Sequence, residues 1–288
     1  MEYKDFPDPS PGPDEILVRV AATSINPFDI MRRSGQAKEF APIRFPGIVG
    51  VDVAGTVVRF GEKVKGFAAG DRVFGMADQT YAELCVAKAT NLAKIPAKID
   101  TVDAAALPLV TTTGYQLIAK GVLVQPGQTV LVTGALGNVG RSAVFTAKSQ
   151  GARVIAGVRK SHLAQASALG VDGVVAIDDE KAIADVEALD AVADTVNGTT
   201  AESLIAKVKP GGIFASVLGA PQNSGRFPSV KVVPVYAEPD AEALLKLSRA
   251  VVEGKLTIPI AAKMSLKEAG QAQALVAKGV GGKVLLVA

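Results

Sequence analysis

Residues 129–150 read TVLVTGALGNVGRSAVFTAKSQ: a β-branched apolar run, a glycine-rich turn, and then a segment with helical apolar spacing. No other stretch constrains the fold as much. A strand that ends in a tight turn and leads straight into a helix aims backbone N–H groups and the positive end of the helix dipole at one point, where a phosphate is favoured. Gly137 stands where a backbone must approach a pyrophosphate without a Cβ, and Gly140 where the helix must pack closely on the strand. Ala135 occupies the place where the G-x-G-x-x-G pattern has its first glycine. Alanine is small enough for that turn if its φ stays negative. The pattern therefore predicts a dinucleotide loop over Gly134, Ala135, Leu136, Gly137, Asn138, Val139 and Gly140.

The flanking chain supports a sheet around that loop. Further strands are read at 153–158, 173–177, 190–196 and 212–218, alternating with helices at 139–150, 162–169, 180–187 and 201–208. Alternation of this kind implies right-handed crossovers and a doubly wound parallel sheet covered on both faces. Upstream, from Glu15 to about Lys98, the runs EILVRVAA, VDVAGTVVRFG, DRVFGM and YAELCVAK are short, β-type and cut by Gly and Pro, which predicts an all-β lobe. A further amphipathic helix is read at 240–253, before the terminal strand GGKVLLVA.

Composition narrows the chemistry. The net charge of +3 comes from 31 basic and 28 acidic residues that are interspersed, so no basic stripe marks a nucleic-acid footprint. With one cysteine, Cys85, and one histidine, His162, neither a disulfide framework nor a Cys/His zinc site can form within one chain. Strand alternation around Cys85 predicts a buried thiol, and His162 reads as an exposed residue at a helix start. No apolar run reaches the length of about 18 residues that a membrane span needs, and the N-terminus has no signal-like stretch, so a cytoplasmic location is expected.

The strand RVIAGV runs into Arg159, Lys160 and Ser161, with no carboxylate before Asp172. An NAD-selective sheet places an acidic residue there for the ribose hydroxyls, whereas a basic group accepts a 2′-phosphate. NADPH is the expected cofactor, with Arg159, Lys160 and Ser161 near its 2′-phosphate and nothing nearby to repel it.

The blocks PGPDEILVRVAATSINPFD, FPGIVGVDVAGTVV, GDRVFG, TYAELCVA, AAALPLVTTTGYQLI, VLVTGALGNVG, VKPGGIFASVLG and GGKVLLVA run in order over nearly the whole chain. In these the sequence resembles the zinc-independent medium-chain dehydrogenase/reductase superfamily, close to the NADPH:quinone oxidoreductases of the zeta-crystallin type. The resemblance implies an α/β fold in which a Rossmann domain at 105–255 is inserted in a GroES-like β-barrel catalytic lobe at 1–104, with 256–288 returning to that lobe and the active-site cleft between. Zinc-dependent relatives carry a catalytic Cys and His where this chain has Asn26 and Val51, which leaves no metal site. Hydride transfer to a quinone or an α,β-unsaturated carbonyl, acceptors that delocalise the incoming charge, is the reaction this implies.

By family position, Asn26 would offer substrate oxygen a donor, although capping the turn before Pro27 is an equal reading of its amide. Thr113 would face the nicotinamide. Thr195 would border the cofactor, Ser216, Val217 and Leu218 would run along its carboxamide, and Gly281 and Gly282 would approach it from the terminal segment. Asp29 and Asp52 are read as structural. A homodimer through the segment 230–236 is implied as well. Two other functions stay open: an enoyl-thioester reductase of the same superfamily, and a non-catalytic NADPH-binding sensor or RNA-binding homologue. The chain also departs from the family pattern. The usual strand before PGP and the tyrosine after SINPFD have no counterpart, with Arg32, Arg33 and Phe40 in the tyrosine's region, and three threonines run together at 111–113.

Overall fold

A computed structural model describes residues 1–288. In chain order the elements are β1 (Glu15–Ser24), α1 (Pro27–Ser34), β2 (Asp52–Phe60), β3 (Arg72–Met76), β4 (Leu84–Lys88), β5 (Leu92–Lys94), α2 (Thr101–Ala104) and α3 (Pro108–Gln116). Then follow β6 (Thr129–Thr133), α4 (Asn138–Ser149), β7 (Arg153–Val158), α5 (Leu163–Ser167), β8 (Gly173–Ala176), α6 (Glu180–Ala184), β9 (Leu189–Asp194), α7 (Gly198–Ile205), β10 (Val208–Ser216) and β11 (Lys231–Pro234). The chain closes with α8 (Ala241–Val252), β12 (Ile260–Ser265), α9 (Ala269–Ala277) and β13 (Lys283–Val287). It divides into two compact units, Met1–Leu109 with Pro239–Ala288, and Val110–Glu238.

The first unit is built on a seven-stranded sheet in the order β12-β13-β1-β2-β3-β5, with β4 also paired to β1. β1 is long enough to take three partners: β2 along most of its length, β4 along its first half and β13 at Ala22–Ser24. That last pairing is what brings the C-terminus back to the first unit. Its alternating side chains supply Ile16, Val18 and Val20 to a core shared with Val53, Val73 and Cys85. A second core sits under α9, where Ala269 and Ala272 meet Ile25, Val49, Val284 and Leu286.

The β lobe is not purely β, because α1 follows β1 directly. Its signals are local: Pro27 at the first turn, Asp29 three residues after Asn26, and Gly35 in the left-handed region at φ 81° to end it. The segment is short and carries two arginines in its last turn, so it lacks the long apolar stripe by which helices are usually read.

The second unit is a six-stranded parallel sheet in the order β11-β10-β9-β6-β7-β8. Its doubly wound layout is the one expected from the alternation of elements. Val130, Val132 and Val154 meet Ala143 and Ala147 of α4 on one face. On the other, Leu131, Val192 and Phe214 meet Leu204 and Ile205 of α7. Burial on both faces is why these strands read as nearly continuous apolar runs. The order of winding reverses between β6 and β9, so the C-terminal ends of those two strands form the crevice where open α/β sheets bind ligands.

The sequence partition set the nucleotide unit at 105–255, whereas the compact units divide after Leu109 and after Glu238. The difference is α8, whose buried Leu244 and Leu247 belong to the first unit, where the helix packs against β5. An amphipathic helix does not declare from its own pattern which sheet it covers. No helix is long and apolar enough to cross a membrane.

Candidate active site

The glycine turn has the geometry of a phosphate cradle. Gly134 takes the left-handed conformation at φ 60°, and Ala135, fully buried, does not. The residue that must be glycine for conformational reasons thus lies one position before the fingerprint's first glycine, which is why alanine fits there. Gly140 has no room for a side chain, since a Cβ would lie 2.1 Å from the carbonyl oxygen of Gly134. At Gly137 a Cβ would meet only that same oxygen, at 3.1 Å, and the other side is open. The cradle fits a pyrophosphate. Arg141 pins the turn, donating from Nε to the Leu136 carbonyl at 3.0 Å; the sequence reading did not include it.

At the reversal point of the sheet a buried polar network joins three strand ends. Oδ1 of Asp194 accepts from the Thr133 hydroxyl at 2.9 Å and from the N–H groups of Val196 and Asn197, while Oδ2 accepts from the Ser216 hydroxyl at 2.7 Å. Thr195 is tied to Thr133 twice, through its N–H and its hydroxyl, each at 2.7 Å. Ser216 in turn accepts the N–H of Leu218, and Asn197 donates to the Leu218 carbonyl. Thr195, Ser216, Val217 and Leu218 are therefore gathered beside the glycine turn by one carboxylate, Asp194, whose hub role a sequence pattern does not reveal. Val217 is half-buried and Leu218 is exposed.

Thr113 reaches the same neighbourhood through packing. It lies buried on α3, followed by Gly114, at which a Cβ would fall 2.4 Å from the Val139 carbonyl. Ser142 of α4 donates to the Thr111 carbonyl at 2.7 Å. α3 is thus seated on the first turns of the helix that follows the glycine loop.

At the end of β7, Arg159, Lys160 and Ser161 are exposed. Lys160 is not available as a bare cation: its ammonium pairs with Asp179 at 3.2 Å, and its backbone N–H donates to Asp178 at 2.7 Å. This corrects the expectation that nothing acidic lies nearby. Both aspartates follow β8, which pairs with β7 in parallel and brings its own C-terminal end alongside. Arg159 forms no ion pair. His162 is exposed, as expected.

The first unit holds a second buried polar cluster. Asn26, 1% exposed, turns its amide inward: Nδ2 donates to Asp52 at 2.8 Å and to the Ser24 carbonyl, and Oδ1 accepts from the Lys283 ammonium at 2.7 Å. The reading from sequence gave this amide to substrate oxygen or to a turn cap; its side-chain bonds here join Ser24, Asp52 and Lys283, and Asn26 also forms a capping box with Asp29 at the start of α1. Asp52 also accepts from the Ser24 hydroxyl and the Leu109 N–H. Asp29 accepts the Asn26 N–H at 2.9 Å and the Tyr81 hydroxyl at 3.1 Å on one oxygen, while its other oxygen is buried without a partner. Burial pushes the Asp29 carboxyl up to about 7. Gly282 lies tight against the backbone of Pro259 and Ala261, and Gly281 is open. Lys283, next to them, was not read as a site residue.

The donor set does not fit zinc. Asn26 presents an amide oxygen already bonded to an ammonium, Val51 presents an isopropyl group, and no three His, Cys, Asp or Glu side chains converge to hold a metal. Cys85 is 2% exposed, and burial pushes its thiol up to about 12, which removes it as a nucleophile.

Comparison with known proteins matches residues 12–97 to the GroES-like domain of alcohol dehydrogenases and residues 169–286 to a zinc-binding dehydrogenase model. A chloroplast envelope quinone oxidoreductase homologue of Arabidopsis thaliana is 30% identical over 95% of this chain and 89% of its own length. An acryloyl-coenzyme A reductase of Sulfurisphaera tokodaii is 28% identical, covering 99% and 96%. A mycobacterial protein solved with NADPH superposes with a TM-score of 0.82 at 27% identity, covering 99% of this chain and 94% of that one. The chain is thus an oxidoreductase that belongs to the medium-chain dehydrogenase/reductase superfamily, in its quinone oxidoreductase branch.

Proposed function

We propose that this enzyme transfers hydride from NADPH to quinones or α,β-unsaturated carbonyls without zinc. The observation that carries this reading is the Lys283 ammonium bonded to Asn26 Oδ1 at 2.7 Å, at one of the two positions where zinc-type relatives have a metal ligand. With no Lewis acid to polarise a simple carbonyl, the acceptor must delocalise the incoming charge itself, as a quinone or enone does.

NADPH when bound supplies the hydride. The chain's residues bind and orient. Backbone N–H groups from Gly134 to Gly140 and the start of α4 would hold the pyrophosphate, and Arg159 would take the 2′-phosphate. Backbone at Ser216, Val217 and Leu218 would line the carboxamide. Thr113 would face the nicotinamide and touch the reacting ring; Asn26 acts by ordering the cluster of Ser24, Asp52 and Lys283. The organising carboxylate Asp194 keeps the strand ends fixed before ligand arrives, so little reorganisation accompanies the reaction.

The test is steady-state oxidation of NADPH with benzoquinone, phenanthrenequinone, an acrolein-type enal and a crotonyl thioester, with and without a chelator. Turnover on the quinones or the enal that survives chelation supports the reading. Loss of activity on chelation overturns the metal-free mechanism. Turnover confined to the thioester favours the second reading, an enoyl-thioester reductase, which the likeness to the acryloyl-coenzyme A reductase supports. Binding of NADPH with no turnover on any acceptor favours a sensor.

A further inference from the structure

Lys283 opens β13 and is 3% exposed, yet the reaction proposed above does not use it. Its nitrogen has three acceptors, the Ile25 carbonyl at 3.2 Å, Asn26 Oδ1 at 2.7 Å and Asp52 Oδ2 at 3.5 Å. Three acceptors match the three N–H donors of an ammonium, whereas a neutral amine has two. Burial pushes the pKa of this group down, and the Asp52 and Asp29 carboxylates oppose that. Buried ion pairs are poor devices for stability, because apolar replacements of similar volume are often as stable or more so. The pair calls for another reason.

That reason lies on the far side of Asp52. Its Oδ1 accepts the N–H of Leu109 at 2.7 Å, in the first turn of α3 directly after Pro108. The early N–H groups of a helix have no partner within it, and a carboxylate there satisfies one of them and meets the positive end of the dipole. Residues just before the helix, Ala105, Ala106 and Leu107, offer no side-chain acceptor. The cap comes instead from β2, and Lys283 and Asn26 hold it in place. Thr113 lies four residues beyond Leu109, one turn along the same face.

We propose that Lys283 is a positioning residue: by holding Asp52 it fixes the first turn of α3, and through that helix the placement of Thr113. The part that concerns Thr113 rests on the functional reading above; the ordering of α3 does not.

The full chain is compared with Lys283→Met, with Lys283→Arg to retain the charge, and with Lys283→Gln as a neutral variant that keeps a donor where the Met variant does not fold. Hydrogen exchange is followed over 108–116 and 129–133. In the neutral variants exchange over 108–116 should rise about tenfold with 129–133 unchanged, and the Arg variant should recover most of the protection. At the same time kcat for the quinone should fall about tenfold or more, while the NADPH dissociation constant stays within about twofold. In a Thr113→Val background the loss on replacing Lys283 should shrink to about twofold or less, because the two residues act in series. Unchanged protection over 108–116 in a folded neutral variant overturns the clamp. Losses at Lys283 and Thr113 that multiply in full overturn the route through Thr113. If the wild-type chain oxidises NADPH with none of the acceptors tested, the functional reading fails and the exchange measurement alone decides the clamp.

Discussion

The hydroxyl of Thr133, the last residue of β6, donates to Asp194, the last residue of β9, at 2.9 Å across the point where the sheet reverses its winding. Asp194 is fully buried and receives four donors. Replacing Asp194 with Leu should cost about 3 kcal/mol or more, since buried donors lose partners together. Thr133→Val should cost about 1–3 kcal/mol for the bonds it breaks. Urea unfolding measures both, and a Thr133→Val variant as stable as wild type would remove the network from the fold's supports.

Within the glycine turn, the two later glycines should respond differently. Gly140→Ala drives a methyl group to 2.1 Å from the Gly134 carbonyl, so the turn itself must move. Gly137→Ala meets that oxygen at 3.1 Å and otherwise faces open space. Melting temperature should therefore fall clearly for the first and little for the second, while NADPH affinity, read by fluorescence titration, falls for both.

Arg159 and Lys160 are adjacent in sequence but differ in their partners. Arg159→Asp should weaken NADPH about tenfold or more, with a smaller effect on NADH, the scale of one lost charge-assisted bond to phosphate. Lys160→Ala should have a weaker effect on NADPH, because the Lys160 ammonium is already paired with Asp179. Asp179→Asn should release that lysine and tighten NADPH. Equal effects of Arg159→Asp on both cofactors would take Arg159 out of the phosphate site.

Asp29 makes stability depend on pH in an unusual direction. Its folded pKa of about 7 lies above the ordinary carboxyl value of 3.8 because burial disfavours the charged form. The folded state thus binds the proton more tightly than the unfolded state. Its contribution is fully present below the unfolded pKa and is lost as pH rises through the folded value. Stability should decline from about pH 4 to about pH 7 on this account. Asp29→Asn keeps an acceptor for the Asn26 N–H and the Tyr81 hydroxyl but cannot titrate. Denaturant midpoints across that range should be flatter for the variant, and identical slopes in the two proteins would exclude Asp29 as the source.

β11 ends the parallel sheet with one edge unpaired, and Tyr236 beyond it is 75% exposed. An apolar edge of this kind is a template for pairing with a second copy. We expect a dimer by light scattering. Tyr236→Lys, which sets a charge at the exposed end of that edge, should give a monomer that keeps its NADPH affinity; a dimer unaffected by the change would locate the interface elsewhere.

Much of the nucleotide unit was legible because its signals are local. TVLVT, the glycine turn and the helix after it are contiguous, and apolar runs between turns mark strands buried on both faces. Ala135 was readable as tolerable, but only the backbone shows that Gly134 takes the left-handed conformation instead. The α1 helix was missed because its few capping residues are a weak signal beside the strands around it.

The sequence by itself determined what residue counts allow, since they do not depend on folding: within one chain, one cysteine and one histidine cannot supply a four-ligand zinc site made of Cys and His alone. It also determined the strand–turn–helix order that holds a phosphate. Only the tertiary structure decided what surrounds those residues. Asp178 and Asp179 reach Lys160 because β8 lies beside β7, and Lys283 reaches Asn26 across 257 positions because β13 pairs with β1. A buried charge is set by its partners, and sheet pairing joins partners that no local pattern connects.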